Sequence, residues 1–299
     1  MRYLGKRRPA NQEKGSNMKI KFWGTRGSVP VPGKDTLIYG GNTTCVEVTL
    51  ESGTKVILDA GTGIRALGER LLTDTEKPEV YLLMTHIHWD HVLGFPFFRP
   101  IYEPGTKIFV DGFPTCMQGL RYVFNEKPGK GLFPVGFDEL KAEIRYLDKL
   151  NRGSLQIDNV LIDSIPLQHP QGAFGFRFRE EKKTFVFLTD NELTRETWAN
   201  RHPEDFAGFC KEADVLVHDA QYFPEEKEKY KGWGHSTYVD ALSLALQANV
   251  KQLILFHHDP SRKDSDVAFS RSQCEDLARK NNSNILIKAA KEGSELSLY

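Results

Sequence analysis

Thr85-His86-Ile87-His88-Trp89-Asp90-His91 follows the apolar run Val80 to Met84 and leads into Val92-Leu93-Gly94-Phe95. The apolar run predicts a strand, so three imidazoles and one carboxylate are presented at a strand end. Imidazole nitrogen and carboxylate oxygen are preferred donors to zinc and similar divalent ions. His86, His88, Asp90 and His91 are too crowded to converge on one ion, and alternate residues point to different sides. That pattern suits two ions a few ångströms apart, the arrangement used for hydrolytic displacement at phosphorus or a carbonyl.

Further donors close other apolar runs. His169 ends Pro166-Leu167-Gln168-His169, Asp190 ends Thr184 to Asp190, and His257 ends Gln252 to His257. Together with the first run they resemble the His-x-His-x-Asp-His signature of the metallo-β-lactamase superfamily and the ligands that follow it. The likeness covers nearly all of residues 18 to 299. It implies that His86, His88 and His169 hold one ion, that Asp90, His91 and His257 hold the other, and that Asp190 bridges them. Of the adjacent His257 and His258, the first polar residue after the strand is the family's ligand, which favours His257 and leaves His258 as a wall or a supporting donor. Two divalent ions are therefore the expected cofactors. Zinc comes first, and manganese or iron suits the same donors.

Composition narrows the class. The 299 residues hold 40 Lys plus Arg against 40 Asp plus Glu, so no global basic field asks for nucleic acid. No apolar run approaches the ~18 residues of a membrane helix. Cys45, Cys116, Cys210 and Cys274 are scattered, which reads as reduced thiols in a cytoplasm. Residues 1 to 17 are basic, with no apolar segment typical of a secretory signal, and read as a disordered tail. No linker divides residues 18 to 299, which read as one hydrolase domain.

Strands are predicted at Met18 to Trp23, Thr44 to Leu50, Lys55 to Ala60 and Val80 to Met84, with a helix over Ile64 to Leu72. A second half repeats the pattern, with strands near Asn159 to Pro166, Phe174 to Arg179, Thr184 to Thr189, Val215 to His218 and Leu253 to Phe256. Helices follow near Thr237 to Ala248 and Asp266 to Lys280. Two such halves predict an α/β fold, a four-layer αββα sandwich with its site along the edge between the sheets. Residues 92 to 168 are the least regular. Their many phenylalanines, Phe95 to Phe137, read as helices and loops that wall a substrate pocket.

Other residues refine the chemistry. Asp59 in Leu58-Asp59-Ala60-Gly61 is positioned either to accept a ligand histidine's spare N–H or to cap the Ile64 helix. The glycine turns Gly24 to Ser28 and Gly40 to Thr44 offer backbone N–H groups to an anion. Gly234-His235-Ser236-Thr237 resembles the His-Ser-Thr motif of ribonuclease Z and related phosphodiesterases, with Ser236 or Thr237 as a helix cap. In those enzymes the histidine serves phosphoester cleavage, so His235 becomes the candidate general acid, beside Asp90 as a proton acceptor. Val215 to Ala220 resembles their His-Glu-Ala-Thr stretch with Asp219 in place of Glu, which would orient His235 if the shorter side chain reaches. His218 reads as a core histidine and His202 as an exposed loop residue.

The resemblance implies hydrolysis of a small, cyclic-nucleotide-like phosphodiester by a hydroxide held between two ions. Two rival activities use the same site: tRNA 3′-end processing, and thioester or lactone hydrolysis. Ribonuclease Z carries a long basic arm between the positions of His169 and Asp190, and that interval is short here. The lactone or thioester reaction has no use for His235. The expected partners are a small phosphodiester substrate, no membrane, no strongly bound nucleic acid and, for the chain itself, a second copy in a homodimer.

Overall fold

A computed structural model describes residues 18–124, 133–194 and 199–298; the basic tail lies outside them. The strands form two seven-stranded sheets. One runs in the order β14 (Glu295–Ser297), β1 (Lys19–Gly24), β2 (Cys45–Thr49), β3 (Lys55–Leu58), β4 (Glu79–Met84), β5 (Lys107–Gly112) and β6 (Glu143–Tyr146). The other runs β13 (Leu286–Ala289), β12 (Gln252–Phe256), β11 (Val215–Asp219), β10 (Lys183–Leu188), β9 (Ala173–Glu180), β8 (Val160–Leu167) and β7 (Ser154–Ile157). Helices α1 (Ile64–Leu71), α2 (Trp89–Val92) and α3 (Cys116–Tyr122) cover the first sheet. Helices α4 (Pro203–Cys210), α5 (Tyr238–Gln247) and α6 (Asp264–Lys280) cover the second.

The four layers follow from the period of two along each central strand. On β10, Phe185 and Phe187 face the other sheet while Val186 and Leu188 face the helices. On β12, Ile254 and Phe256 take the first role, and Leu253 and Leu255 the second. Both faces are covered, so these strands read as unbroken apolar runs. Phe22, Phe176, Phe187 and Phe256 are at most 2 % exposed in the space between the sheets. Burying one such ring contributes roughly 1.5–3 kcal/mol.

Strands β3 to β6 and β10 to β13 are parallel runs. Their carboxyl ends, with that of β8, collect along one edge, where an α/β sheet presents its ligands. The expected elements are all found within a residue or two of their predicted ends, and Thr237 caps α5 by accepting from the Asp240 N–H.

Residues 92 to 168 depart from expectation. They contain β5, β6 and β7 as well as helices. Strands β6 and β7 lie at sheet edges, with exposed residues on one or both faces, so neither carries the apolar run that marks a central strand. The phenylalanines divide: Phe95, Phe98 and Phe124 are buried among the residues that join the first sheet to its helices, whereas Phe97 and Phe133 line an apolar cleft. The interval from His169 to Asp190 is taken up by the β9–β10 hairpin. No helix among the described residues is long and apolar enough to cross a membrane. The four cysteines are free and buried.

Candidate metal centre

All the candidate residues but His235, which precedes α5, lie at or just past the carboxyl end of a strand: Asp59 after β3, the His86 to His91 run after β4, His169 after β8, Asp190 after β10, Asp219 at the end of β11 and His257 after β12. Asp59, Asp190 and His257 have φ of 61°, 57° and 57°. The left-handed region is unfavourable for residues with a Cβ, and such strain gathers at functional sites. Glycine would relieve the strain but would remove the donor.

The side chains form two groups whose donor atoms lie within 4.8 Å of one another: His86, His88 and His169; and Asp90, His91, Asp190 and His257. Asp190 faces both. Its Oδ1 is 3.8 Å from His86 Nε2 and 3.7 Å from His169 Nε2. Its Oδ2 is 3.3 Å from His91 Nε2 and 3.2 Å from His257 Nε2. Asp90 Oδ2 lies 3.2 Å from His91 Nε2 and 3.1 Å from His257 Nε2.

Behind each imidazole stands a partner for its other nitrogen, which sets the tautomer and the ring plane. Asp59 Oδ2 is 2.8 Å from His91 Nδ1, and Gln221 Oε1 is 2.8 Å from His257 Nδ1. Thr85 Oγ1 is 3.0 Å from His86 Nδ1, the Gly234 carbonyl is 3.1 Å from His169 Nδ1, and Gln171 Oε1 is 3.3 Å from His88 Nε2. Two glycines allow close packing. A Cβ on Gly27 would come 2.4 Å from the His257 ring, and one on Gly234, at φ 89°, 2.1 Å from His169 Nδ1.

Charge and burial oppose each other here. Burial pushes the Asp90 and Asp190 carboxyls up, but neighbouring His91 and His257 overcome this and hold both well below the usual range. Burial pushes His91 down, and Asp90, Asp190 and Asp59 raise it well above the ordinary imidazole value. Burial lowers His86 well below that value and His169 to about 4. The buried Nε2 atoms of His86 and His91 make no hydrogen bond among the described residues. Unpartnered buried nitrogens beside concentrated carboxylate are costly without a cation. The donor set therefore fits divalent metal ions.

His235 adjoins this assembly. Its Nδ1 is 2.6 Å from Asp219 Oδ2 and 3.9 Å from Asp190 Oδ1, and its ring stacks on His257 at 5.0 Å between centroids. The shorter Asp219 side chain thus reaches. Burial alone would lower His235, but Asp219 raises it to about 9.

The open alternatives resolve. Asp59 turns to His91 and to the Thr85 N–H, while Gly63 occupies the cap of α1. His257 faces the cluster, and His258 instead sets its Nε2 3.0 Å from the Ala290 carbonyl. His218 is buried, with Nδ1 2.6 Å from the Asp219 carbonyl. His202 is exposed. The glycine turns do meet anions, but the protein's own: the Ser28 N–H donates to Asp90 Oδ2 at 2.7 Å, and Asn42 donates to Glu292. Sequence reading missed the supporting roles of Gln221, Gln171 and Thr85. Neither glutamine lies in a motif, whereas Thr85 heads the His-rich run.

The family model described as a beta-lactamase superfamily domain matches residues 54–258. Ribonuclease Z of Bacillus cereus (strain AH187) is 25 % identical over 288 residues, covering 80 % of this chain and 88 % of that protein. Among solved structures, the metallo-beta-lactamase fold protein YhfI of Bacillus subtilis superposes with a TM-score of 0.70 at 14 % identity, covering 95 % of this chain and all of that one. Yeast PDE1 superposes with a TM-score of 0.68 at 16 % identity, over 94 % of this chain and 99 % of its own. At these identities the two structures speak to the fold.

Proposed function

Because this chain belongs to the β-lactamase superfamily, we propose that it is a two-metal hydrolase of small, cyclic-nucleotide-like phosphodiesters, built on residues 18 to 299 as one domain. The observation that carries the proposal is the pair of Asp190 oxygens, one toward each donor group, with His235 held beside them by Asp219. His86, His88 and His169 would hold one ion, Asp90, His91 and His257 the other, with Asp190 shared. When bound, such ions polarise phosphate oxygens and make water nucleophilic near neutral pH. Zinc leads, and manganese or iron is compatible with the same donors.

The chain's own residues would do the rest. Asp219 accepts a hydrogen bond from the Nδ1–H of His235, and its charge favours the protonated ring. Nε2 is then the atom from which a proton can pass to the leaving oxygen, and the imidazolium offsets charge growing on the phosphate. Asp90 is both ligand and proton acceptor. Asp59 and Gln221 hold His91 and His257 in the tautomers that leave Nε2 free to ligate.

The likeness to ribonuclease Z favours a second reading, endonucleolytic processing of tRNA 3′ ends. Two features weigh against it. The formal net charge is zero, whereas phosphate backbones are held by basic surface. The β9–β10 hairpin occupies the interval where those enzymes carry their arm. A thioester or lactone hydrolase would leave the Asp219–His235 pair unexplained. The buried free thiols accord with a cytoplasmic enzyme, and a homodimer is our expectation for its assembly.

A panel decides: a generic aryl phosphodiester, cyclic mononucleotides, cyclic dinucleotides, a lactone and a pre-tRNA, each at two salt concentrations. Weakly salt-dependent turnover of the small diesters is the expected result. Efficient pre-tRNA cleavage with a steep salt slope, retained after deletion of residues 1 to 17, overturns it.

A further inference from the structure

The site opens at two residues. Asp90, His91, His86, His169, Asp190, His257 and Asp219 are all buried, whereas His88 and His235 are only partly so. The cluster is least covered where these two imidazoles lie, the His235 side chain being 9 % exposed. An exposed indole stands beside each. Trp89 follows His88 and is 57 % exposed; Trp233 is two residues before His235 and is 62 % exposed.

The two indoles flank one chain of contacts at the cluster. His88 Nδ1 is 2.9 Å from His169 Nε2, and His169 Nδ1 is 3.1 Å from the Gly234 carbonyl. Trp89 is bonded to one end of this contact chain and Trp233 to the other, each ~3.8 Å away from Cα to Cα. Both are supported. The Trp233 ring meets Tyr230 at 5.4 Å, Tyr230 stacks on Tyr222 at 4.7 Å, and Tyr222 meets His235 at 5.8 Å. Trp89 forms a wall of an apolar cleft of about 690 Å3 shared with Ile87, Phe97 and Tyr122. A cleft of that size takes a small organic ligand. Trp23 contrasts with them: its indole N–H is committed to Glu47 at 2.9 Å. Large exposed rings cost solvation without packing gain, and a planar ligand laid over them would offset that cost.

We propose that Trp89 and Trp233 select the substrate by holding a nucleobase against their faces while its phosphodiester reaches the His88 and His235 side of the centre. This rests on the phosphodiesterase reading and deepens it. Every base offers a π-face, so recognition by stacking tolerates different bases and needs no hydrogen-bonding motif in the sequence.

Two esters with the same leaving group test it: thymidine 5′-(4-nitrophenyl) phosphate and methyl 4-nitrophenyl phosphate. We expect the zinc-loaded protein to prefer the nucleoside ester by about tenfold or more in kcat/KM, mostly through KM. Trp233→Ala and Trp89→Ala should each shrink that ratio toward one, and Trp233→Phe should recover part of it, which a merely structural role would not do. A ratio near one in the wild type, or a ratio kept in both alanine variants, overturns the stacking proposal and leaves the phosphodiesterase reading intact. Hydrolysis of neither ester removes the phosphodiesterase reading. Indole fluorescence with thymidine 5′-monophosphate then decides the stacking site alone: quenching that is lost in Trp233→Ala supports it, and no quenching overturns it.

Discussion

The two donor groups are built from the same residue types yet differ in charge and support. Asp90, His91, Asp190 and His257 are fully buried, bring two carboxylates of their own, and have a third, Asp59, behind His91. His86, His88 and His169 have only imidazoles, share Asp190 at a longer distance, and rest on neutral partners, with His88 open to solvent. In the first group burial lowers His91, but the acids around it raise its imidazole well above the ordinary value. In the second, burial lowers His86 well below the ordinary imidazole value and His169 to about 4. Similar motifs thus make one anionic pocket and one neutral pocket, and the buried carboxylates make the difference.

The largest effect should come from Asp190→Ala, which removes the oxygens facing both groups. Metal content measured by elemental analysis should fall in both, and hydrolysis should be abolished. Loss of only one ion would break the comparison, since Asp190 would then belong to a single group. His235→Ala should retain both ions and the fold but lose about 10²-fold in kcat on an aryl phosphodiester; full activity would take His235 out of the mechanism.

Support should matter more at the anionic group. Asp59→Asn should weaken metal binding by about 10–100-fold, read by competition with a chelator, whereas Gln171→Ala behind the half-exposed His88 should cost much less. Equal losses would erase the distinction. The smallest effect concerns pH in the metal-free protein. Burial lowers His169 in the fold to about 4, below ~6.5 in the unfolded chain. The folded state then binds fewer protons between those values. Its contribution to stability is present above pH ~6.5 and is lost as pH falls toward about 4. Thermal melts of metal-free protein should show this slope, and His169→Gln should flatten it. An unchanged slope would remove the neutral character of that group.

Much of the fold could be read because its central strands are buried on both faces and so appear as apolar runs. The edges could not: β6, with mostly exposed side chains, and the three-residue β14 carry no such mark. Helix α4 begins at Pro203 and has few buried residues, so it too was silent. At the site, donors were legible because each follows an apolar run. Their supports were not, since Gln221 and Gln171 are ordinary polar residues whose importance comes only from the ring they touch.

By itself the sequence determined the list of donors, their order and the two-sheet plan, because these depend on local periodicity and on which residue ends each strand. Tertiary structure decided what that list means. It turned His257 to the cluster and His258 away, sent Asp59 to His91 rather than to a helix end, brought Asp219 within reach of His235, and moved Phe95, Phe98 and Phe124 from the expected pocket into the core. Each of these outcomes depends on contacts between residues distant in the chain, or on a backbone forced into the left-handed region by packing. Neither leaves a periodic trace in the order of amino acids.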